Sequence, residues 1–220
     1  MHMSEITICY GMTETAPVSA QSSTEDSVER RVSTVGRVHP HLEVKIVDEN
    51  GKVVPRGQLG ELCVRGYSVM LGYWEDQDKT QEVIDAARWM HTGDIAEMDD
   101  EGFVKIKGRI KDVVIRGGEN LFPKEIEDFL YTHPAVSDVQ VIGVPDHKYG
   151  EELCACIILH ENDPCTEEAI RQYCAEHISH NKVPRYVRFF HEFPMTASGK
   201  AQKFKLREFM REELNLKEIA

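Results

Sequence analysis

Lys107-Gly-Arg-Ile-Lys-Asp112 separates two stretches of chain whose hydrophobic patterns differ, and that difference decides the fold class. On its N-terminal side, apolar residues alternate with polar ones in short runs bounded by turn residues, the period-2 signature of half-buried strands. Leu42-Glu-Val-Lys-Ile-Val47, Gly60-Glu-Leu-Cys-Val-Arg-Gly66 and Gly102-Phe-Val-Lys-Ile-Lys-Gly108 are the clearest runs. Asn50-Gly51 closes a hairpin after the first of them, and one short helix is expected over 76–85. This half reads as an open barrel or a sandwich layer.

On the C-terminal side, helices and strands alternate. A strand is expected at 113–115, followed by a helix opened by Pro123 and closed before Pro134, with Ile126, Phe129 and Leu130 on its buried face. Strands follow at 136–144 and 153–160. The next helix, over 166–179, carries Ile170, Cys174 and Ile178 at helical spacing. A strand at 186–190, a loop at 194–200 and a helix bearing Leu206, Phe209, Met210 and Leu214 complete a domain of about a hundred residues, a common domain size. The whole is expected to be α+β, a barrel-like β-rich part over 1–110 and a small α+β domain over 111–220. The charged, glycine-containing connector is a plausible swivel, although by itself it is only a linker.

Composition bounds the function. Of 220 residues, 41% are hydrophobic, enough for a real core. Asp and Glu (38) outnumber Lys and Arg (26), a net charge of −12, so a nucleic-acid or anionic-membrane surface would have to be a local patch on a repelling background. The six cysteines do not fall into CxxC redox or zinc spacings. Cys154 and Cys156 point to one face of a strand, which reads as apolar packing in a reducing compartment. No run reaches about 18 apolar residues, and no basic-then-apolar N-terminal signal is visible.

Four segments carry chemistry-bearing residues, and each also has an ordinary reading. Tyr10-Gly-Met-Thr-Glu14 offers a ring, a flexible backbone, a hydroxyl and a carboxylate, suited to stacking a base beside phosphate and a hard cation; a capped turn would look the same. His91-Thr-Gly-Asp94 sets a carboxylate on a glycine turn, able to accept from vicinal hydroxyls such as those of a ribose, and Arg109 could add guanidinium donors to the same sugar. The ordinary alternatives are an Asp turn and a surface ion pair. Arg116-Gly-Gly-Glu-Asn120 lets a ligand or another backbone approach closely, as any tight turn does. Thr196-Ala-Ser-Gly-Lys200 puts a lysine on a mobile loop, able to meet a carboxylate or phosphate; it lacks the spacing of a Walker A loop.

Taken in order, Tyr-Gly-Met-Thr-Glu, His-Thr-Gly-Asp, Gly-Arg-Ile-Lys-Asp, Gly-Gly-Glu-Asn and Ala-Ser-Gly-Lys resemble the acyl-CoA synthetases of the adenylate-forming superfamily, most of all the medium-chain fatty acyl-CoA synthetases. The likeness runs over essentially the whole chain. It implies an enzyme that uses ATP and Mg2+ to convert a carboxylic acid to an acyl-adenylate, releasing pyrophosphate, and then transfers the acyl group to coenzyme A. It implies that 1–110 is the distal part of a large domain and 111–220 its C-terminal lid.

By the same resemblance, Tyr10 flanks or stacks on adenine, with Gly11 beside it in the motif. Thr13 binds phosphate, Glu14 holds the magnesium ion, and Asp94 and Arg109 bind the ribose hydroxyls. Lys111 is the hinge, Lys200 serves adenylation by bridging the substrate carboxylate and the α-phosphate, and Gly117 and Gly118 line the pantetheine tunnel. Lys182 and Arg185 could contact CoA phosphates, or simply sit on a solvated loop.

The family's glycine-rich, Ser/Thr-rich phosphate loop has no counterpart here, and most of the acyl pocket would also lie upstream. The partner implied is therefore the N-terminal part of the same enzyme, with neither nucleic acid nor a membrane span, in the cytoplasm or an organelle matrix. The chain alone is expected not to turn over. An amino-acid-activating module would continue into a carrier domain, and a luciferase-like oxygenase would carry a peroxisomal Ser-Lys-Leu end that Lys-Glu-Ile-Ala220 lacks. A lid that binds CoA without chemistry is the reading of another class.

Overall fold

Strand pairing follows the alternation read from the first half. The computed structural model describes residues 5–161, 163–197 and 199–216; Ser198 of the lysine loop and the last four residues lie outside them. Within the first unit, β1 (Cys9–Tyr10), β2 (Ala20–Gln21) and β3 (Arg37–Val38) form a small antiparallel sheet. The short helix α1 (Val28–Ser33) lies between the second and third strands, with Ser27 Oγ capping it through the Arg30 amide.

The main sheet of this unit is an antiparallel meander of β4 (Leu42–Val47), β5 (Gly60–Gly66), β6 (Met90–Met98) and β7 (Val104–Arg109). Because side chains alternate along a strand, Leu62 and Val64 of β5 face a core shared with Ile46, Met90, Ala96, Met98 and Val104. Glu61, Cys63 and Arg65 consequently point to the other side. The four strands run in sequence order, and among the described residues no pairing closes the first on the last. The barrel-like expectation therefore takes the form of an open sheet. Helix α2 (Gln77–Val83) falls inside the predicted segment and is capped by Asp76, whose carboxylate accepts from the Lys79 amide at 3.0 Å.

A single 3-10 turn, Ile110–Asp112, follows, and the chain divides there into two compact units, Met1–Lys111 and Asp112–Ala220. The second unit is organised around a long hairpin, β10 (Val136–Asp146) and β11 (Gly150–Leu159). Its other strands are β8 (Val114–Arg116), β9 (Glu119–Leu121) and β12 (Tyr186–Phe189), the last running parallel to β11. Helices α3 (Pro123–Leu130), α4 (Glu167–His177) and α5 (Lys203–Glu213) cover it.

Both faces of the hairpin are buried, so its strands read as nearly continuous apolar runs. Val139, Val141, Leu153, Ala155 and Ile157 pack with Ile126 and Leu130 of α3 and Ile170 and Cys174 of α4. On the opposite face, Ile142, Val144, Cys154 and Cys156 pack with Leu206 and Met210 of α5. Phe129, expected on a buried face, is only partly covered, and Phe209 of α5 is half-exposed. Phe129 stacks on Tyr173 with centroids 5.0 Å apart, and Phe209 meets Phe190 at 5.5 Å.

One buried ion pair ties the β8–β9 hairpin to this core. Glu152 is 1% exposed, and Arg116 reaches it with two parallel bonds, Nε to Oε2 at 2.8 Å and Nη2 to Oε1 at 2.9 Å. Arg185 Nη1 stands 3.9 Å from the same carboxylate. Removing one partner of such a pair leaves a buried charge uncompensated, whereas replacing both by apolar groups is often neutral. Arg116→Met should lower the stability of the second unit by about 3 kcal/mol, less whatever Arg185 recovers, and the Arg116→Met/Glu152→Leu double variant should regain most of it. Hydrogen exchange of the amides of the long hairpin under increasing urea will measure the difference.

Candidate functional site

The segment His91-Thr-Gly-Asp94 lies within β6, where the sequence had indicated a turn. Glu61 pairs with Ile95 and Cys63 with His91, so two steps along β5 are matched by four along β6. The surplus residues form a bulge at Thr92-Gly-Asp94, with Gly93 at φ +70°. Two side chains hold this bulge in shape. Glu61 accepts from the Gly93 amide through Oε1 at 2.9 Å and from His91 Nδ1 through Oε2 at 2.7 Å. Thr92 Oγ1 donates to the Leu62 carbonyl at 2.7 Å and accepts from the Asp94 amide at 3.1 Å.

The bulge aims Asp94 at two donors. Its side chain is 11% exposed. Tyr10 donates its phenol proton to Oδ2 at 2.6 Å, and Arg109, paired with Asp94 across the β6–β7 ladder, brings Nε to 3.4 Å from Oδ1. Burial, followed by the Asp94 charge and the hydrogen bond to it, pushes the Tyr10 phenol well above its usual value, so the ring is a neutral donor at physiological pH. Arg109 is half-exposed. A carboxylate and a guanidinium side by side, with an aromatic ring alongside, form a donor and acceptor set for a pair of neighbouring hydroxyls.

The backbone after Tyr10 turns tightly. A Cβ at Gly11 would stand 1.7 Å from the Pro17 carbonyl oxygen and 2.8 Å from Val18 Cα, so only glycine fits. A 3-10 turn, Thr13–Thr15, leaves Thr13 exposed and Glu14 half-buried. The Glu14 amide carbonyl accepts from Met70 at 2.8 Å, and its Oε1 accepts from Tyr73 Oη, also at 2.8 Å. Burial and this contact with Glu14 push the Tyr73 phenol up to about 12. A hard carboxylate in this position has the donor chemistry of a magnesium ligand.

In the second unit, Gly117 (φ +60°) and Gly118 (φ +86°) make the two-residue turn of the β8–β9 hairpin, a geometry that requires φ > 0 at both positions. Both are exposed, and a Cβ at Gly118 would meet nothing within 4 Å. The Gly117 amide donates to the Tyr149 carbonyl at 2.8 Å. Lys200 is exposed on a loop closed by backbone bonds, Thr196 N to Lys200 O at 2.8 Å and Gly199 N to Thr196 O at 2.9 Å.

Lys111 is exposed in the 3-10 turn between the units. Lys182 pairs with Glu125, and Arg185 with Asp146 at 2.7 Å. Glu61 and Tyr73 had no motif to announce them, and Thr92, inside the His91–Asp94 motif, had no role assigned to it. Their roles depend on partners 30 or more residues away, and the sole hint was Glu61's place on the polar side of an alternating strand.

The family model of the AMP-binding enzymes matches residues 1–74, and that of the AMP-binding enzyme C-terminal domain matches residues 125–200. The mitochondrial medium-chain acyl-CoA ligase ACSF2 of Bos taurus is 53% identical over 217 residues, which is 98% of this chain and 35% of that protein. The putative acyl-CoA synthetase YngI of Bacillus subtilis (strain 168) is also 53% identical over 217 residues, 98% of this chain and 40% of that protein. The chain thus spans little more than a third of the length of these curated relatives. Among solved structures, ATP-bound MatB from Rhodopseudomonas palustris superposes with a TM-score of 0.87 at 33% identity, covering 94% of this chain and 41% of its own. With both family models matched in order, together over more than half of the chain, and relatives above 50% identity along nearly its whole length, this chain belongs to the AMP-binding enzyme family.

Proposed function

We propose that this chain works, as part of a longer enzyme, in an ATP-dependent acid–CoA ligase that adenylates a carboxylic acid, a medium-chain fatty acid by likeness to its relatives, and passes the acyl group to coenzyme A. The observation that carries this reading is the convergence of Tyr10 and Arg109, from separate strands, on the carboxylate of Asp94 on a third. MatB, similar over nearly the whole chain, binds ATP.

In the first half-reaction, a carboxylate oxygen of the acid attacks the α-phosphorus of ATP and pyrophosphate leaves. In the second, the CoA thiol attacks the acyl carbon and AMP leaves. Asp94 and Arg109 hold the ribose hydroxyls in this scheme, while Tyr10 flanks the adenine and keeps the Asp94 carboxylate oriented. Gly11 lets the backbone turn, and Thr13 meets a phosphate oxygen. Glu14 is the residue that would hold Mg2+, which when bound neutralises phosphate charge. Lys200 contributes positive charge where negative charge develops in adenylation, and Gly117 and Gly118 leave room for the pantetheine arm. Lys111 serves as the hinge between 1–110, the distal part of the large domain, and 111–220, the lid. The six cysteines are free thiols, in keeping with a reducing cytoplasm or organelle matrix.

Phosphoryl-transfer chemistry of this kind depends on positioning and on charges aimed at the transition state. In the full-length enzyme, Lys200→Ala should slow ATP–pyrophosphate exchange about 100-fold or more, the usual cost of losing one such stabilising group. Thioester formation from preformed octanoyl-adenylate and CoA should be largely spared. Equal loss in both half-reactions would refute the assignment of Lys200 to adenylation. Asp94→Asn should weaken nucleotide binding by about 10- to 100-fold, as expected for the loss of charge-assisted hydrogen bonds, and titration calorimetry with AMP will measure it.

A further inference from the structure

Cys63 is fully buried although it lies on the polar side of its sheet. Its in-line neighbours Leu62 and Val64 face the apolar core, whereas Cys63 shares the opposite side with Glu61, Arg65 and Lys45, its cross-strand partner on β4. The indole of Trp89 lies over this region, with Lys45 Nζ 4.5 Å and the Arg65 guanidinium 4.4 Å from the ring. The neighbours of Cys63 on that side are charged or aromatic rather than aliphatic. It sits directly opposite His91 in the β5–β6 ladder, with Sγ 3.6 Å from Nδ1.

The bulge that shapes the Asp94 segment also brings Glu61 to the same place, its Oε2 2.7 Å from that nitrogen. One ligand atom each from Glu61, Cys63 and His91 thus lies within 4.8 Å of the others. We propose that Glu61, Cys63 and His91 form a three-ligand site for a zinc-class divalent transition metal, clipping β5 to β6 behind the bulge.

Donor chemistry and spacing both fit. Thiolate, imidazole and carboxylate are the ligands of zinc, and three protein ligands leave a fourth position for water; His91 is only partly covered, which gives that position access to solvent. Zinc bonds to sulfur and nitrogen at tetrahedral angles put those two atoms about 3.5 Å apart, close to the separation already present. The His91–Glu61 pair is now at hydrogen-bond distance and would open to about 3.3 Å around the same ion.

The thiol proton of Cys63 and the proton between His91 Nδ1 and Glu61 pass to solvent on binding, and no oxidation state changes. The two negative ligands balance the dication, while Lys45 and Arg65 nearby limit the affinity. The magnesium role proposed for Glu14 is separate, because a hard ion of that kind prefers oxygen donors.

The test is a CoCl2 titration of the reduced 220-residue chain, followed by absorbance. The expected result is a near-ultraviolet thiolate-to-cobalt band with intense visible transitions, saturating at one equivalent and displaced by Zn2+, with Zn2+ also raising Tm. Cys63→Ser should remove the thiolate band, and Cys9→Ser, at an exposed cysteine, should leave it. Glu61→Gln and His91→Gln should weaken binding about tenfold or more, the loss that even outer-shell changes produce. Circular dichroism will establish that each variant is folded, and if Cys63→Ser is not, the Glu61 and His91 variants decide. The proposal is overturned if no thiolate band forms, if it survives in Cys63→Ser, or if the Glu61 and His91 variants bind cobalt as tightly as the parent.

Discussion

A carboxylate withdrawn from water must be given donors, or it costs several kcal/mol. Asp94 is withdrawn, and meeting that requirement organises the first unit. Its donors come from Tyr10 at the N-terminal edge and Arg109 at the end of β7, separated in sequence by 99 positions. They can meet at one carboxylate only if β6 is displaced locally from regular pairing. The displacement is the Thr92-Gly-Asp94 bulge, whose shape is held by hydrogen bonds to Glu61 and Leu62 on β5. The core beneath, built from Leu62, Val64, Ala96 and Met98, keeps the ladder in register on both sides of it.

The second unit solves the same problem with a different partner. Glu152 is buried in the long hairpin and takes both of its bonds from Arg116, whose strand ends in the Gly117-Gly118 turn. Placing this turn is therefore coupled to satisfying a buried charge. Tyr149 assists by lying under the Arg116 guanidinium at 4.5 Å and accepting from the Gly117 amide. The Lys200 loop is held more lightly, by backbone bonds within a few residues and no buried ion pair among the described contacts. The lysine is thus exposed on a turn that, among the described residues, packs no side chain into the core clusters.

Cys63 shows how little composition says about a thiol. Burial, and after it the charge of Glu61, push its pKa up to about 12, a property shared by core cysteines such as Cys174. The difference lies in what surrounds it, an imidazole and a carboxylate for Cys63 and aliphatic side chains for Cys174.

Sequence alone determined the elements whose side chains answer to local periodicity. The alternation in Leu42–Val47 and Gly60–Gly66, the proline-opened helix Pro123–Leu130 and the continuous apolar runs of the long hairpin all follow from burying one face or two. The ordered motifs also named the residues that the family likeness singles out, because motif order is a property of the chain. Only the tertiary structure decided that His91-Thr-Gly-Asp94 is a bulge in a strand, that the four-stranded sheet stays open, and that Tyr10, Asp94 and Arg109 meet. Only it supplied Glu61, Thr92, Tyr73 and Glu152 as supports. Hydrogen bonds between residues 30 to 84 positions apart leave no periodic trace, since their geometry depends on strand register and burial that no local stretch encodes.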